Sequence, residues 1–532
     1  MKKMNCKNEK SALGGALKRL GMVCLLIWGV WCMAGCDKDD DDLEEETETG
    51  FTQSGTAGSL TWSLSGGKLT ISGNGAIPDY GYEESPWYSF WEHITAVIIG
   101  KGVTTIGGNA FLNCRSLTSV TIPNSVTTIE YGAFYNCSSL TSVTIPNSVT
   151  AIAESVFASC RSLTSVTIPN SVTAIGERAF SYCYSLTSVT IPNSVKRIGE
   201  WAFSGCSSLT SVIIPNSVTT IEYGAFSGCS SLTSVTIPNS VTAIGDGPFS
   251  GCSSLIAIKV ENGSSWSSIN GILFNKAGTV LIQYPGGKSG HYNIPNSVTV
   301  IGGAAFDGCS SLTSVTVPNS VTTIGGGAFS YCSSLTSVTL PNSVTTIGGF
   351  AFSDCSSLTS VTLPNSVTTI EYDAFHGCSS LTSVTIPNSV TTIGWSAFYR
   401  CSSLTSVTIP NSVTTIEWSA FAGCSSLTSV TIPNSVTTIA SSTFASCSSL
   451  TSVIIPNSVT TIEYGAFYNC SSLMDVTVEW EEPLFFIVST AFDRVPLSSC
   501  TLHVPDGTKA LYQKAAVWEE FGNIFEDAEG WE

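Results

Sequence analysis

The apolar positions of this chain recur in one fixed order. Residues 140–162 read LTSVTIPNSVTAIAESVFASCRS, and nearly the same 23 letters begin again at Leu163, Leu186, Leu209 and Leu232. After an interruption they resume at Leu312 and run through Leu335, Leu358, Leu381, Leu404, Leu427 and Leu450. Counted from the leucine, positions 1, 4, 6, 10 and 13 are apolar, position 7 is proline, and positions 17, 18 and 21 are usually Ala, Phe and Cys. The alternation in Ser-Val-Thr-Ile predicts a short strand of β-branched residues with Val and Ile inward and Thr outward. Proline ends it, because it has no N–H to give to a ladder. Positions 10 and 13, with Thr between, predict a second short extended stretch. The G-x-x-A-F-x-x-C portion is too short for a full helix and predicts one helical or 3-10 turn.

One such unit cannot bury its own apolar face, so only a stack of them is stable. The expected fold is a repeat solenoid of 23-residue coils, mainly β, with short parallel strands, short helical or 3-10 turns, and a cap at each end. Parallel strands stack about 4.8 Å apart, so about 16 coils would extend on the order of 75 Å.

The pattern L-x-x-V-x-I-P-x-S-V-x-x-I-x-x-x-A-F-x-x-C, carried from Ile94 to Cys500, resembles the BspA-like leucine-rich-repeat family of bacterial surface proteins. The resemblance implies a right-handed leucine-rich-repeat superhelix. It also implies a role in adhesion to host proteins and cells.

In chain order, residues 1–35 resemble a lipoprotein signal peptide. Lys2, Lys3, Lys7, Lys10, Lys18 and Arg19 precede an apolar run from Leu20 to Met33 that is short for a membrane span. Met33-Ala34-Gly35-Cys36 resembles the box at which such proteins are cleaved and acylated on the cysteine. Residues 36–50 (CDKDDDDLEEETETG) are a like-charge run, read as an extended disordered tether. Their Cys-Asp-Lys-Asp-Asp start resembles the surface-export signal of Bacteroides-group lipoproteins. The localisation this implies is an outer-membrane-anchored, surface-exposed lipoprotein of a Gram-negative bacterium. Calcium is a rival reading of the acidic run, but no glycine-turn loop organises its carboxylates.

Residues 51–93 break the repeat with a hairpin about Gly66-Gly67 and an aromatic cluster of Trp87, Tyr88, Phe90 and Trp91, read as an N-terminal cap. Residues 94–254 form a first array. Residues 255–311 are one long variant repeat with a hairpin insertion, carrying two strand-like runs about Lys276-Ala277-Gly278. Residues 312–472 form a second array. Residues 473–532 are read as an atypical coil and a C-terminal cap helix, with Ala510, Leu511, Ala515 and Trp518 at helical spacing.

Charged residues are 11% of the chain, against about 25% in an ordinary domain, and serine and threonine take over their solvating role. The net charge is −18; residues 1–35 carry six positive and one negative residue, which leaves the remainder at −23. Such a charge argues against nucleic acid and against electrostatic docking on anionic lipid. Membrane contact is therefore expected through acylated Cys36 only. Fifteen cysteines share one repeat position. Parallel side chains in neighbouring coils hold their Cβ atoms too far apart for disulfides, so the column is read as buried free thiols behaving as small hydrophobes. Zinc-type spacings are absent, and neither a metal nor a cofactor is expected.

His93, His291, His376 and His503 stand in four unrelated contexts, and no nucleophile elbow, P-loop or H-E-x-x-H motif is present. The chain is therefore read as non-enzymatic. Glu130, Glu222, Glu371, Glu417 and Glu463 recur at position 14, which reads as a solvated stripe and not an acid/base pair. Variation concentrates at positions 14–16 and 19–20, where Tyr131, Trp201, Tyr223 and Phe350 occur. Position 15 carries Tyr372, Trp395 and Trp418 in consecutive coils, and Tyr464 further on. These four are the candidate ligand-binding stripe, since Tyr and Trp dominate interface hot spots. The alternative is that the rings only cover the turn beneath them. The expected partners are host or bacterial surface and matrix proteins; a glycan, stacked on the rings, is the alternative.

Overall fold

The computed structural model describes residues 52–484 and 486–527. The expected signal peptide, Cys36 and the expected acidic tether, residues 1–50, lie outside the described residues. Among the described residues no helix is long and apolar enough to cross a membrane.

The chain from Thr52 onward winds into a β-solenoid of about 19 turns with almost no helix. Each coil contributes a first strand at positions 3–5, such as Ser142–Thr144, and a second at positions 12–13, such as Ala151–Ile152. Both pair in parallel and in register with the coils either side: Val143 faces Val166, and Ile152 faces Ile175. The constant register within each array follows from identical inward side chains, because a slip by one residue would turn Val outward. In the second half, eleven first strands form one continuous sheet from Gly290–Asn293 to Asn523–Asp527.

The stretch expected to be a helical turn forms part of what a helix would. In the coil starting at Leu117, the amides of Ala133, Tyr135 and Cys137 donate to the carbonyls of Glu130, Gly132 and Phe134, the i to i−3 pattern of a 3-10 turn. The alternate amides of Gly132, Phe134 and Asn136 donate instead to Glu154, Val156 and Ala158 of the next coil, at 2.8–2.9 Å. This alternation requires left-handed backbone at positions 16 and 20, here Gly132 (φ 58°) and Asn136 (φ 57°). Half of the turn's amides thus bond within the turn and half to the next coil, so the turn ties neighbouring coils together as the strand ladders do.

Inside, Phe at position 18 stacks on its counterpart coil after coil. Ring centroids from Phe111 to Phe134, Phe157 and Phe180 are 5.1, 5.5 and 5.6 Å apart, and their planes tilt by 14° or less. Beside them the cysteines are free and buried. From Cys137 onward the thiols of the column also donate across coils, as Cys137 Sγ does to the Phe111 carbonyl at 3.2 Å. Burial raises the Cys114 and Cys160 thiols to about 12, so these two are protonated and unreactive at neutral pH. The serines and threonines are more than a solvating surface. Ser171 Oγ donates to the Val149 carbonyl at 2.6 Å and Thr164 Oγ1 to the Thr141 carbonyl at 3.1 Å, and the same bonds recur along the array. Positions 2 and 9 are invariant along most of the chain because their hydroxyls are rungs between coils.

At the N-terminal end, Thr52–Ala57, Leu60–Ser65 and Lys68–Ser72 form an antiparallel meander whose last strand pairs in parallel with Ala96–Ile99. Trp87 is fully buried, stacks 5.5 Å from Phe111 and donates its indole N–H to the Ala110 carbonyl at 2.7 Å, so it closes the ring column. The C-terminal end differs from expectation. In place of a cap helix there is one helical turn, Lys509–Tyr512, a 3-10 turn, Trp518–Glu520, and a strand, Asn523–Asp527. Two demands override the helical spacing. Trp518 fills the space against Trp480, Phe492 and Tyr512 at centroid distances of 5.9–6.1 Å. The chain after it then supplies a further rung to the sheet, beside Thr501–Pro505.

The long variant repeat is two coils, not one. The first keeps its opening strand, Ala257–Val260, then adds an antiparallel pair, Trp266–Ile269 with Ile272–Asn275, before Val280–Gln283 rejoins the second-strand column against Val300–Ile301. The pair is joined by Asn270 and Gly271, both at positive φ (53° and 79°), the two-residue turn whose twist matches paired strands. The second coil, opening at Gly290–Asn293, has the ordinary length. The first lacks the outer turn, so the turn of the coil ending at Cys309 packs directly on that of the coil ending at Cys252, with the Gly251 amide donating to the Asp307 carbonyl at 3.0 Å. The core divides here. Phe249 ends one ring column and Tyr284, 4.9 Å from Phe306, begins the other.

Candidate functional site

The left-handed backbone at positions 16 and 20 turns those side chains, and those of position 15, away from the core. The variable residues are therefore presented at the surface by a framework that repeats beneath them. Of the four predicted stripe residues the structure brings three together. Tyr372 stacks on Trp395 at 4.9 Å and 10°, and Trp395 on Trp418 at 5.1 Å and 1°. Tyr464 is two coils beyond Trp418, with Ser441 at position 15 between them, and does not join the stack. A fourth ring absent from the predicted set does: Phe350, at position 16, meets Tyr372 edge-on at 5.3 Å. Gly349 makes room for this, since a Cβ there would come within 2.5 Å of the Tyr372 ring. Trp418 is 51% exposed and Phe350 42%, so the stack stands open to solvent at both ends. Phe350 holds φ 58°, where a non-glycine residue costs about 1–2 kcal/mol.

The position-14 glutamates are not simply solvated. Glu417 accepts from the Trp395 backbone N–H at 3.0 Å, and Glu463 from the Ser441 N–H and Oγ at 2.9 and 2.8 Å. Glu222 accepts from the Glu200 N–H at 3.2 Å and pairs with Arg197. In these coils the carboxylate satisfies the amide of position 15 one coil back, and at Trp395 it so anchors the backbone of a ring-bearing residue. Beyond the free face of Trp418 a cleft of about 510 Å³ is lined by Thr414, Glu417, Thr437, Ser441 and Glu463.

A second concavity interrupts the row. Position 15 reads Tyr223, Asp246, Gly303, Gly326, Gly349, Tyr372 over consecutive outer turns, and a cavity of about 480 Å³ lies over the glycines between the tyrosines. Asp307, partly buried at its edge, is pushed up to about 6 by burial, against the opposing pull of hydrogen bonds from Ser250 and Ser330. Gly303, Gly326 and Gly349 share one repeat position in the sequence, but that Asp246 adjoins Gly303 is seen only in the fold.

The histidines stay apart: His291 bonds Ser314 and Asn293, His376 bonds Asp373, and His503 faces Asp475.

A family described as the BspA type leucine rich repeat region, six copies, matches residues 87–208, 173–287, 284–405 and 391–515. Among solved structures, a leucine rich cell surface protein from Faecalibacterium prausnitzii is 34% identical, over 67% of this chain and 94% of that one, with a TM-score of 0.50. A leucine-rich repeat protein from Eubacterium ventriosum is 28% identical, over 80% of this chain and 96% of that one, with a TM-score of 0.48. No curated protein matches the chain.

Proposed function

Because the chain belongs to the BspA-type leucine-rich-repeat family, we propose that it is a non-enzymatic cell-surface scaffold that binds proteins, those of a host or of neighbouring cells, and so mediates adhesion. The observation that carries this reading is the open stack of Phe350, Tyr372, Trp395 and Trp418 on invariant coils. Rigid, exposed aromatic rings gain contact area while losing little side-chain entropy, and they dominate interface energetics. The surface context agrees, since the similar Faecalibacterium prausnitzii structure is that of a cell surface protein.

The test is capture of a panel of purified extracellular-matrix proteins by the full chain, alongside a glycan array. Trp395→Ala/Trp418→Ala is expected to weaken protein capture by about 30-fold or more, the loss of one hot spot of about 2 kcal/mol. Undiminished capture by the double variant would remove the stripe from the reading. Sugar binding that disappears with the two tryptophans would favour the second reading, a glycan-binding surface protein. The cleft beyond Trp418, with hydroxyls and carboxylates beside a free ring face, is what supports that alternative.

We further propose an outer-membrane lipoprotein anchored through Cys36. Cys36→Ser is expected to move the protein from the detergent phase to the aqueous phase on phase partition, because acylation is the anchor. Retention of Cys36→Ser in the detergent phase would rule this out.

A further inference from the structure

The trough between Tyr223 and Tyr372 has three features that the aromatic stack lacks. Its floor is cleared by glycine. A Cβ on Gly303 would come within 2.5 Å of the Asp246 carboxylate, whereas one on Gly326 would meet nothing closer than 3.4 Å. Its ends are aromatic: Tyr223 stands edge-on to Trp201 at 5.0 Å, and Tyr372 and Phe350 close the other end. Five coil steps separate the two tyrosines, about 24 Å at about 4.8 Å each. Its charge is of one sign. Asp246 and Asp307 line it and no lysine or arginine does. Among the described residues neither carboxylate has a cationic partner, whereas Glu222, one coil back, is paired with Arg197.

Acidic residues alone would not make a site, and the glycines alone would only make a gap. Together they form a concave, aromatic-ended, uncompensated negative surface, with a volume of about 480 Å³ that lies within the about 300–1,000 Å³ of small-ligand pockets. A neutral sugar would fit the rings but leave the carboxylates uncompensated. An acidic ligand would be repelled. A cationic side chain answers both features: the alkyl stem lies on the glycine floor, the charge meets the carboxylates, and a tyrosine face attracts the cation.

We propose that this trough seats a basic segment of a protein partner, with an arginine or lysine side chain laid over Gly303 and Gly326 and its charge held by Asp307 and Asp246. This rests on the protein-binding reading above and names the chemistry of the partner. Asp307 supports it independently. With its folded pKa above the ordinary carboxylate value, ionising this group opposes folding at neutral pH, and a bound cation would relieve that. Ser250 and Ser330 hydrogen-bond it, Asp246, Tyr223 and Tyr331 line the same trough, Cys309 lies behind it and Asp354 beyond Tyr331. None of these supplies positive charge.

The experiment is fluorescence anisotropy of labelled dodecapeptides on the full chain in detergent, using Gly-Ser peptides bearing two arginines, two lysines, two glutamates or no charge, with chitotetraose as the neutral sugar competitor. The arginine or lysine peptide is expected to bind at least about 10-fold more tightly than the uncharged one at pH 7.5. That preference should fade as pH falls through about 6, because the carboxylate must be ionised to hold the cation. Asp246→Asn/Asp307→Asn should abolish the preference. So should Gly326→Trp, which fills the trough at a position where other coils carry Trp395 and Trp418, so the fold has room for it.

Equal binding of charged and uncharged peptides, or displacement by chitotetraose, would overturn the proposal. So would an undiminished preference in both variants. Matrix-protein capture that survives the aspartate changes but not Trp395→Ala/Trp418→Ala would overturn the trough alone and leave the scaffold reading standing. Absence of any protein capture by the unaltered chain would bring down both.

Discussion

Phe375→Ala is expected to destabilise the second array by about 4 to 5 kcal/mol, the upper part of the range for removing a buried aromatic ring. Phe375 is fully buried between Phe352 and Phe398, each 5.4 Å away and within 6° of parallel. The cavity cannot collapse, for two reasons. Its neighbours on the turn are already small (Ala374 and Cys378), and the coils either side are held apart by strand ladders whose spacing is fixed. The backbone at this residue also bridges coils: its amide donates to the Ala397 carbonyl at 2.9 Å and its carbonyl accepts the Cys401 thiol at 3.2 Å. In a stack where each coil depends on its neighbours, loss at one site should spread. Hydrogen exchange should therefore quicken in the coils starting at Leu335, Leu358 and Leu381, and leave distant coils protected. Ser383→Ala, on the exposed strand face, is the control and should change stability by less than about 0.5 kcal/mol. A loss of under about 1 kcal/mol for Phe375→Ala in urea denaturation would mean that the ring column contributes little to holding the coils together.

Gln283→Leu is expected to cost about 3 kcal/mol and to separate unfolding into two transitions. Gln283 is completely buried where the two ring columns part. Its Oε1 accepts from the Phe249 amide at 3.3 Å, and its Nε2 donates to the Tyr284 and Ala305 carbonyls, each at 3.3 Å. The coil it belongs to has no outer turn, so its side-chain amide stands in for the missing backbone rung between Phe249 on one side and Ala305 on the other. Leucine fills much of the volume but leaves a buried amide and two carbonyls with fewer partners, at about 1–3 kcal/mol for each group left unsatisfied. With the bridge gone, the arrays keep separate cores and have less to couple them. A single urea transition at unchanged midpoint would show that the strand ladders alone couple the halves.

The coil was legible letter by letter. Leu140, Val143, Ile145, Val149, Ile152, Phe157 and Cys160 point inward as their spacing requires, each under 5% exposed. The aromatic stack at Tyr372, Trp395 and Trp418 followed from the same columns, because one repeat position occupies one place on every coil. Three things were not legible. The C-terminal Ala510, Leu511, Ala515 and Trp518 have a helix's spacing, but burying Trp518 and adding a strand to the sheet outweigh a propensity worth tenths of a kcal/mol per residue. The glutamates of position 14 look solvated in the sequence, and only the neighbouring coil shows the amide that Glu417 and Glu463 satisfy. The trough needed the fold most. Asp246 and Gly303 are 57 residues apart in the chain and meet because the hairpin-bearing coil contributes strands but no outer turn.

By itself the sequence determined the solenoid, its period, its register and which letter of each coil reaches solvent. It could do so because a repeat makes every contact local: each side chain meets the same letters one period away, and 23 residues suffice to state the packing rule. The tertiary structure decided what happens where the repeat fails, at Gln283, at Trp518 and over Gly303 and Gly326. At those places the neighbours come from different parts of the chain, and competition among burial, ladder pairing and unpaired polar groups sets the outcome, which no periodic pattern encodes.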